Sequence, residues 1–331
     1  MVGLPDSRQV LVSARPDGSL NYAVLGNSRI SNDLGLADRQ RLIQVIFGPG
    51  VPLRLAPGLR GRPMVNGVAD ADLSAVALGM LDQHVGAASV ACFNHPRAVL
   101  GTSRDAVAAK LARIAGLHVP RTVKLSRIDE PADLLRAAAE HGLEWPLIVR
   151  IAGSHRGTAT AKIDRPEQLV PGLRGLAWGG RSLYLTEYVD CCDADGFYRK
   201  WRLVVVGRDV FIRHLVIARD WLVHAHDRDL GQLREEEALL RSFRSARLPE
   251  LRERLDALAD AIGMDYFGID CNLRPDGRLL IFEVNALMDI LINTLPQPNC
   301  WEQPIAEIRE ALSALLFNPT HWRYPPQTPS A

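Results

Sequence analysis

Residues 267–285, FGIDCNLRPDGRLLIFEVN, have the pattern of two β-strands joined by a turn at Asp276-Gly277. Asp-Gly between stretches of alternating apolar residues is the strongest short-range signal for a β-hairpin. A two-residue turn predicts that Asp270 lies opposite Glu283 and that Gly268 lies opposite Asn285. This hairpin is the feature from which the rest of the fold is inferred.

The alternation divides the hairpin into an apolar face and a polar face. The predicted apolar face contains Ile269, Cys271, Leu273, Leu280, Phe282 and Val284. The predicted polar face contains Asp270, Asn272, Glu283 and Asn285. Like charges directly opposite destabilise a sheet by about 0.2–1 kcal/mol, so the two acids predict a bound cation. Oxygen ligands without Cys or His favour Mg²⁺ or Mn²⁺. The alternative is an ordinary surface hairpin with one hydrated face.

The composition places the chain among globular proteins of more than one domain. Its 331 residues have room for two or three domains, and 39 basic residues balance 38 acidic ones. Neither a basic block nor an apolar run of about 18 residues occurs, so we expect no nucleic-acid and no membrane partner. The five cysteines lack zinc-type spacing and no signal peptide is evident, which favours a cytoplasmic protein.

Residues 1–100 form a candidate α/β unit, with short strands in VLVSA, QVIFG and ASVACFN and a helix over residues 72–81. Beyond it, capping residues and periodicity predict helices that begin near Ser103, Asp129 and Pro249. The glycines that would end them are Gly116, Gly142 and Gly263. A last amphipathic helix is predicted over residues 303–317.

The stretch PLIVRIAGSHRGTAT, residues 146–160, is a candidate phosphate-binding segment. Gly153 and Gly157 flank a short loop, and glycines allow backbone N–H groups to approach phosphate oxygens. Arg150 and Arg156 could reach the same anion. The alternative is a plain hairpin turn. A turn at Gly207-Arg208 would also place Arg202 opposite Arg213, and two facing guanidinium groups favour an anion between them; solvated edge-strand arginines are the alternative.

In their order along the chain, these segments resemble the ATP-grasp superfamily, specifically its glutathione-synthetase-like ligase branch. The resemblance runs from about His95 to Asp289 and depends on five segments. They are TSRDAVAAKLARIAGLHVPRT, PLIVRIAGSHRGTA, LTEYV, KWRLVVVG and GIDCNLRPDGRLLIFEVN. It implies an α/β (α+β) ATP-grasp fold in which two α+β subdomains clasp ATP. The implied units are a small N-terminal domain over 1–100, a central subdomain over 101–190 and a C-terminal subdomain with the metal site over 191–325.

The resemblance also implies roles for individual residues. The implied Mg²⁺ ligands are Asp270, Glu283 and Asn285. Arg104 and Arg150 stand where the family has nucleotide-binding lysines, and Arg202, with Arg213, would stabilise an acyl phosphate. The implied adenine hinge is Glu187, Tyr188 and Val189, and the implied phosphate flap covers 153–158 with Gly153, Ser154 and Gly157. The chain departs from the family at three places. Arg104 and Arg150 replace lysines, Lys200 stands where an acid is common, and the sequence after Asn285 is ALMDI.

The implied reaction uses ATP with Mg²⁺ or Mn²⁺ to activate a carboxylate as an acyl phosphate, which an amine then attacks to give an amide. The carboxylate would belong to a small molecule or a peptide, and the enzyme could act as a homodimer. One alternative is modification of a side-chain carboxylate of a ribosomal peptide or protein. Another is a nucleotide-binding regulatory protein without catalysis. His224 and His226 could bind a metal, but a polar loop is favoured, and ordinary thiols are favoured for Cys191 and Cys192.

Overall fold

The computed structural model describes residues 1–30, 34–154, 157, 159–223 and 229–324. The predicted contributions of Arg156, Thr158, His224 and His226 therefore lie outside the described residues. Within them the fold is mixed α/β. The strands are β1 Val2–Gly3, β2 Val10–Ala14, β3 Leu20–Val24, β4 Ile46–Phe47, β5 Met64–Val65, β6 Cys92–Phe93, β7 Leu117–His118, β8 Thr122–Ile128, β9 Leu147–Ile151, β10 Thr160–Ile163, β11 Arg181–Glu187, β12 Tyr198–Val206, β13 Asp209–Ala218, β14 Tyr266–Leu273 and β15 Leu279–Asn285.

The α-helices are α1 Leu36–Arg39, α2 Ala75–Ala88, α3 Pro96–Leu100, α4 Arg104–Leu111, α5 Pro131–Glu140, α6 Leu169–Gly172, α7 Leu230–Ser242, α8 Leu248–Ile262 and α9 Glu302–Leu316. Helices α4, α5, α8 and α9 lie where the capping and periodicity signals predict them. The predicted helix over 72–81 instead begins at Ala75, after an ordered loop, and α7 was not predicted. In the described part of the chain, no helix is both long and apolar enough to cross a membrane.

An antiparallel four-stranded sheet has the order β10-β9-β11-β8. One face packs against α5, whose start is fixed by a reciprocal capping box between Glu130 and Asp133. Along β9, Leu147 and Val149 are fully buried in this core, whereas Arg150 has its side chain on the opposite face. The sheet thus has one apolar face and one face free for polar side chains.

The second main sheet has the order β13-β12-β14-β15-β7, and only its β15–β7 pair is parallel. Helix α8 packs its apolar stripe against this sheet and ends at Gly263, which adopts a left-handed conformation with φ 73°. The first hundred residues share the same core, since Leu78 and Leu81 belong to the cluster that contains Phe267. They also form three two-stranded sheets, β1-β4, β2-β3 and β5-β6.

The β14–β15 hairpin has a three-residue loop, so the predicted two-residue turn is wrong. Arg274 donates its amide to Arg278, and Gly277, with φ 80°, occupies the left-handed position that such loops need. A bulge at Phe282 restores the predicted register, because Asp270 still lies opposite Glu283. Between this bulge and the turn, the residues of β15 lie on the opposite face from the predicted one. Ile281 lies opposite Cys271 and Leu280 lies opposite Asn272, so the faces predicted for Leu280 and Phe282 are wrong.

The turn between β12 and β13 lies at Gly207-Arg208 as predicted, but the arginine pair is not formed. Leu203 lies opposite Ile212, whereas Arg202 lies opposite His214. Arg213 is therefore the extra residue of a second bulge, and its predicted position opposite Arg202 is wrong. A bulge cannot be predicted from alternation alone, since it adds one residue without a compositional signal.

Candidate active site

A buried acid and a half-buried acid face each other at the centre of the five-stranded sheet. Asp270 on β14 is only 4% exposed and lies directly opposite Glu283 on β15. Arg202 on β12 binds Asp270 in a bidentate manner, with Nε 2.8 Å from Oδ1 and a terminal nitrogen 2.9 Å from Oδ2. Lys200 Nζ lies 3.4 Å from the same carboxylate. The repulsion that predicted a metal is thus already balanced at Asp270 by two cations of the chain.

These cations decide the ionisation of Asp270. Burial alone would raise the pKa of Asp270, but the charges of Arg202 and Lys200 outweigh burial, and its pKa lies well below the usual range. Asp270 is consequently ionised at neutral pH. An ionised carboxylate is the form that binds a divalent cation.

Glu283 is held by the first residue of α4. A terminal nitrogen of Arg104 lies 2.7 Å from Glu283 Oε1, and the other donates to the Phe282 carbonyl at 3.1 Å. The bulge at Phe282 leaves this carbonyl outside the regular ladder, where the guanidinium reaches it. Arg104 therefore links α4 to the acidic face of the hairpin.

Asn285 ends β15 at the start of a loop that crosses the sheet. Its Oδ1 accepts a hydrogen bond from the Leu287 amide at 2.9 Å, which turns the chain back over β14. Met288 then lies so close to Gly268 that a Cβ on Gly268 would be 2.3 Å from the methionine sulfur. Gly268 is required at this position because the loop passes directly over it.

Arg150, Gly153 and Ser154 face Glu283 and Asn285 across a cleft between the two main sheets. Within the described residues, the Arg150 guanidinium has neither an ion pair nor a hydrogen bond. Burial, together with the nearby charge of Arg104, lowers the pKa of Arg150 to about 10. A half-buried guanidinium that makes no ion pair with the described residues favours a bound anion at this position. The predicted residues Arg104, Arg150, Gly153, Ser154, Glu283 and Asn285 all line this cleft.

Asp72, Lys124 and Tyr184 were missed in the sequence analysis, although Asp72 and Tyr184 line the same cleft. Asp72 lies in the loop before α2 and approaches the four-stranded sheet, with its Oδ1 2.6 Å from Lys124 Nζ and 2.7 Å from the Tyr184 hydroxyl. Lys124 and Tyr184 could have been found only from strand pairing, since they lie opposite each other on β8 and β11. Asp72 carries no local signal at all.

The predicted hinge lies at the end of β11, outside the lining of the cleft. The Glu187 carboxylate binds the Arg121 guanidinium and the Glu144 amide, the latter at 2.9 Å. The Tyr188 amide donates to the Pro146 carbonyl at 2.9 Å, so this backbone donor is already used. Val189 follows directly on the connection towards β12. The predicted hinge therefore lies on the connection between the two sheets.

Arg213 does not face the cleft. Its side chain is 1% exposed, donates to the carbonyls of Ile290 and Ile292, and lies 4.3 Å from the ring centroid of Trp301. It fixes the loop that follows Asn285 rather than presenting a charge to a ligand. Gly157, with φ 69°, is described but does not line the cleft.

The donor set of the acidic face fits a hard divalent cation. Asp270 lies opposite Glu283, and Asn285 lies two residues beyond Glu283 on the same strand, so this face carries the carboxylate and amide oxygens that Mg²⁺ or Mn²⁺ prefers. Among the described residues, no group of three or more His, Cys, Asp and Glu side chains is arranged to hold a metal.

Burial raises the pKa of Cys191 to about 11, so this thiol stays protonated at neutral pH.

Comparison with known proteins finds similarity only at the level of structure. Neither a protein-family model nor a curated protein sequence matches the chain. A D-alanine-D-alanine ligase from Coxiella burnetii aligns with 72% of this chain and 64% of its own, at 12% identity and a TM-score of 0.45. The carboxyaminoimidazole ribonucleotide synthase from Aspergillus clavatus, complexed with ATP, aligns with 88% of this chain and 76% of its own, at 13% identity and a TM-score of 0.48.

A third match is PsnB, an ATP-grasp ligase solved with a precursor variant, Mg and ADP. It aligns with 72% of this chain and 67% of its own, at 19% identity and a TM-score of 0.39. The chain thus spans just under two thirds of the first of these three proteins. At these values the function is inferred from the site residues and not from the alignments. The matched structures include a member of the superfamily that the sequence motifs resemble.

Proposed function

We propose that this protein is an ATP-dependent ligase that joins a carboxylate to an amine through an acyl phosphate and releases ADP and phosphate. The observation that carries the proposal is the convergence of Arg104, Arg150, Glu283 and Asn285 on one cleft. These residues come from three separate parts of the chain. Together they provide the cations and the oxygen ligands that a magnesium–polyphosphate complex requires.

In this proposal the phosphate chain lies between the two sheets. Arg150 provides a guanidinium that has no ion-pair partner among the described residues. The Gly153 amide, which donates to Asp72 in this structure, is the backbone donor closest to the proposed phosphate. Asp270, Glu283 and Asn285 would hold Mg²⁺, with Mn²⁺ as an equivalent, and the ion would neutralise phosphate oxygens. Glu187, Tyr188 and Val189 would receive the adenine, with the Tyr188 carbonyl and the Val189 backbone groups as contacts.

The chemistry then requires positioning more than covalent participation by the protein. A substrate carboxylate oxygen attacks the γ-phosphorus, the bond to the bridging oxygen breaks, and ADP leaves. The amine attacks the acyl carbon, phosphate leaves, and the amine loses a proton. Arg202, fixed by Asp270, and Arg104, fixed by Glu283, are oriented cations beside the path of this charge.

Trapping of the activated carboxylate tests the proposal. The protein is incubated with ATP, Mg²⁺, hydroxylamine and a panel of amino acids, small acids and acidic peptides, and both ADP and hydroxamate are measured. We expect one class of carboxylate to give ADP and hydroxamate in equal amounts. ADP release that no carboxylate stimulates, or nucleotide binding without any turnover across the panel, would contradict a ligase and favour a regulatory nucleotide-binding protein.

A further inference from the structure

A row of hydrogen-bond donors crosses the four-stranded sheet on its polar face. Lys124 on β8 lies opposite Tyr184 on β11, Tyr184 lies opposite Arg150 on β9, and Arg150 lies opposite Thr160 on β10. Residues that are opposite each other have their side chains on the same face, and adjacent strands are about 4.8 Å apart. An ammonium, a phenol, a guanidinium and a hydroxyl therefore follow one another in a line.

One half of this row is occupied by a carboxylate from the N-terminal region. Asp72 Oδ1 lies 2.6 Å from Lys124 Nζ, the Tyr184 hydroxyl donates to both carboxylate oxygens at 2.7 and 2.9 Å, and the Gly153 amide donates to Oδ2 at 3.3 Å. Burial first, and then the Asp72 charge, raise the pKa of Tyr184, so its hydroxyl stays a donor. The site binds Asp72 as it would bind any oxyanion.

No described carboxylate forms an ion pair or a hydrogen bond with the other half of the row. Among the described residues Arg150 has no ion-pair partner, and the hydroxyl of Thr160 is buried without a hydrogen-bond partner. A buried polar group of this kind costs about 1–3 kcal/mol when it stays unsatisfied. Lys124 and Tyr184 thus have an anionic partner and Arg150 and Thr160 have none among the described residues, so the whole row has the length to bind an anion longer than one carboxylate.

The loop that carries Asp72 is itself ordered by the N-terminal region. Asp70 Oδ1 accepts the amides of Asp72 and Leu73 at 2.7 and 2.9 Å, which presents the Asp72 side chain to the sheet. Leu73 packs on Gly153 so tightly that a Cβ there would be 2.5 Å from a leucine methyl carbon. The loop thus covers both the donors and the glycine that would contact a phosphate.

We propose that Asp72 is an internal competitor for polyphosphate: its carboxylate occupies donors that the phosphate chain of a nucleotide uses, and the 70–73 loop withdraws when the nucleotide binds. This inference rests on the proposed function for the identity of the nucleotide. Two anions cannot share Lys124, Tyr184 and the Gly153 amide, because like charges a few ångströms apart repel strongly in a cleft. The free energy that holds Asp72 in place is subtracted from the affinity for the nucleotide.

Removal of the Asp72 charge tests the competition. Binding of ADP, pyrophosphate and adenosine is measured by calorimetry without divalent metal for the wild type, for Asp72→Asn and for Asp17→Asn. Asp17 is a matched control because it is an exposed carboxylate of the same N-terminal region whose hydrogen bonds with the described residues are all to Ser19. We expect Asp72→Asn to tighten ADP and pyrophosphate binding about tenfold and to leave adenosine unchanged. Asp17→Asn should equal the wild type for all three.

Hydrogen exchange of the wild type gives a second test that does not need a variant. ADP and pyrophosphate should each increase exchange at residues 70–74, the opposite of the protection that a ligand usually causes. Unchanged or weaker pyrophosphate binding in Asp72→Asn, or protection of residues 70–74 by either ligand, would overturn the proposal. If pyrophosphate shows the expected effects but ADP binds no more tightly than pyrophosphate, the competition stands and the proposed nucleotide function fails.

Discussion

Asp270 shows how a single buried acid depends on its neighbours. It is ionised although nearly inaccessible to solvent, because Arg202 and Lys200 surround it. Breaking a buried ion pair by removal of one partner costs about 3–5 kcal/mol, since the other charge stays buried. The stability of this protein should therefore depend on the ionisation of Asp270.

We predict a pH-dependent cost for Asp270→Asn. Because the folded-state pKa lies below the unfolded value of about 3.9, the stabilisation is complete above that pH and is lost as the pH falls through the folded pKa. Urea unfolding at about pH 7, 5 and 3 should show a cost of about 3 kcal/mol at the two higher values and a smaller one at the lowest. Asp129→Asn should cost under about 1 kcal/mol throughout, because Asp129 is exposed and its contact with Arg127, at 3.6 Å, is a surface ion pair. A pH-independent difference would refute the assignment.

Glu283→Gln should abolish turnover and leave the fold intact. The amide keeps the size of the side chain and one acceptor for Arg104, but it loses the charge that the proposed metal site needs. Steady-state ADP release, with circular dichroism as the control for folding, measures both effects. ATP consumption close to that of the wild type would end the magnesium interpretation.

Arg150→Lys should retain substantial nucleotide affinity, whereas Arg150→Ala should lose it. Lysine preserves a cation on the same side of β9, and alanine leaves the cleft without a guanidinium that makes no ion pair with the described residues. Calorimetric titration with ADP separates the two variants. Equal affinity of Arg150→Ala and the wild type would remove Arg150 from the site.

At the scale of elements, two bulges decide where the site residues point. The bulge at Phe282 offers a carbonyl to Arg104, and the bulge at Arg213 turns that arginine away from Arg202 and towards the loop after Asn285. A bulge shifts every later residue of a strand to the opposite face. Each of the two hairpins in the five-stranded sheet thus contains regular pairing and one β-bulge.

The loop over β14 gives a testable prediction for this element. Gly268→Ala introduces a Cβ against Met288, and overpacking of this kind costs about 1–3 kcal/mol. In the Met288→Ala background the same substitution should cost clearly less, because the obstructing sulfur is gone. A double-mutant cycle by urea unfolding measures the coupling. Additive costs would show that Met288 does not limit this position.

At the scale of the whole molecule, the N-terminal region and the five-stranded sheet share one hydrophobic core. Asn94 Oδ1 accepts the amides of Asp265 and Tyr266, both at 2.8 Å, and its Nδ2 donates to the Tyr266 carbonyl at 2.7 Å. Asn94 and Asp265 are almost completely buried. The four-stranded sheet, in contrast, has a separate apolar core with α5.

We predict that Asn94→Ala destabilises both of these regions together. The substitution removes the partner of the buried amides of Asp265 and Tyr266 and of the Tyr266 carbonyl, at about 1–3 kcal/mol for each unpaired group. Native-state hydrogen exchange should show that amides of β6 and β14 lose protection by the same amount, whereas amides of β9 keep theirs. Independent losses in β6 and β14 would support the autonomous domain predicted for residues 1–100.

The sequence alone determined the local structure of most of the candidate site. Alternation and the Asp-Gly signal place Asp270 opposite Glu283, and capping signals place Arg104 at the first turn of a helix. These features depend on residues close together in sequence, where steric and hydrogen-bond preferences are strong. The length of the β14–β15 loop and the two bulges were not predicted, because a three-residue loop and an added residue preserve the overall alternation.

Only the tertiary structure decided which charges meet. The row from Lys124 to Thr160 exists because three strand pairings align, and Asp72 reaches it from a loop far away in sequence. Arg213 and Arg150 carry the same charge. Arg213 is enclosed by backbone carbonyls and the indole of Trp301, whereas Arg150 faces the cleft. Electrostatic energy depends on distance and burial, which packing fixes and local sequence does not encode.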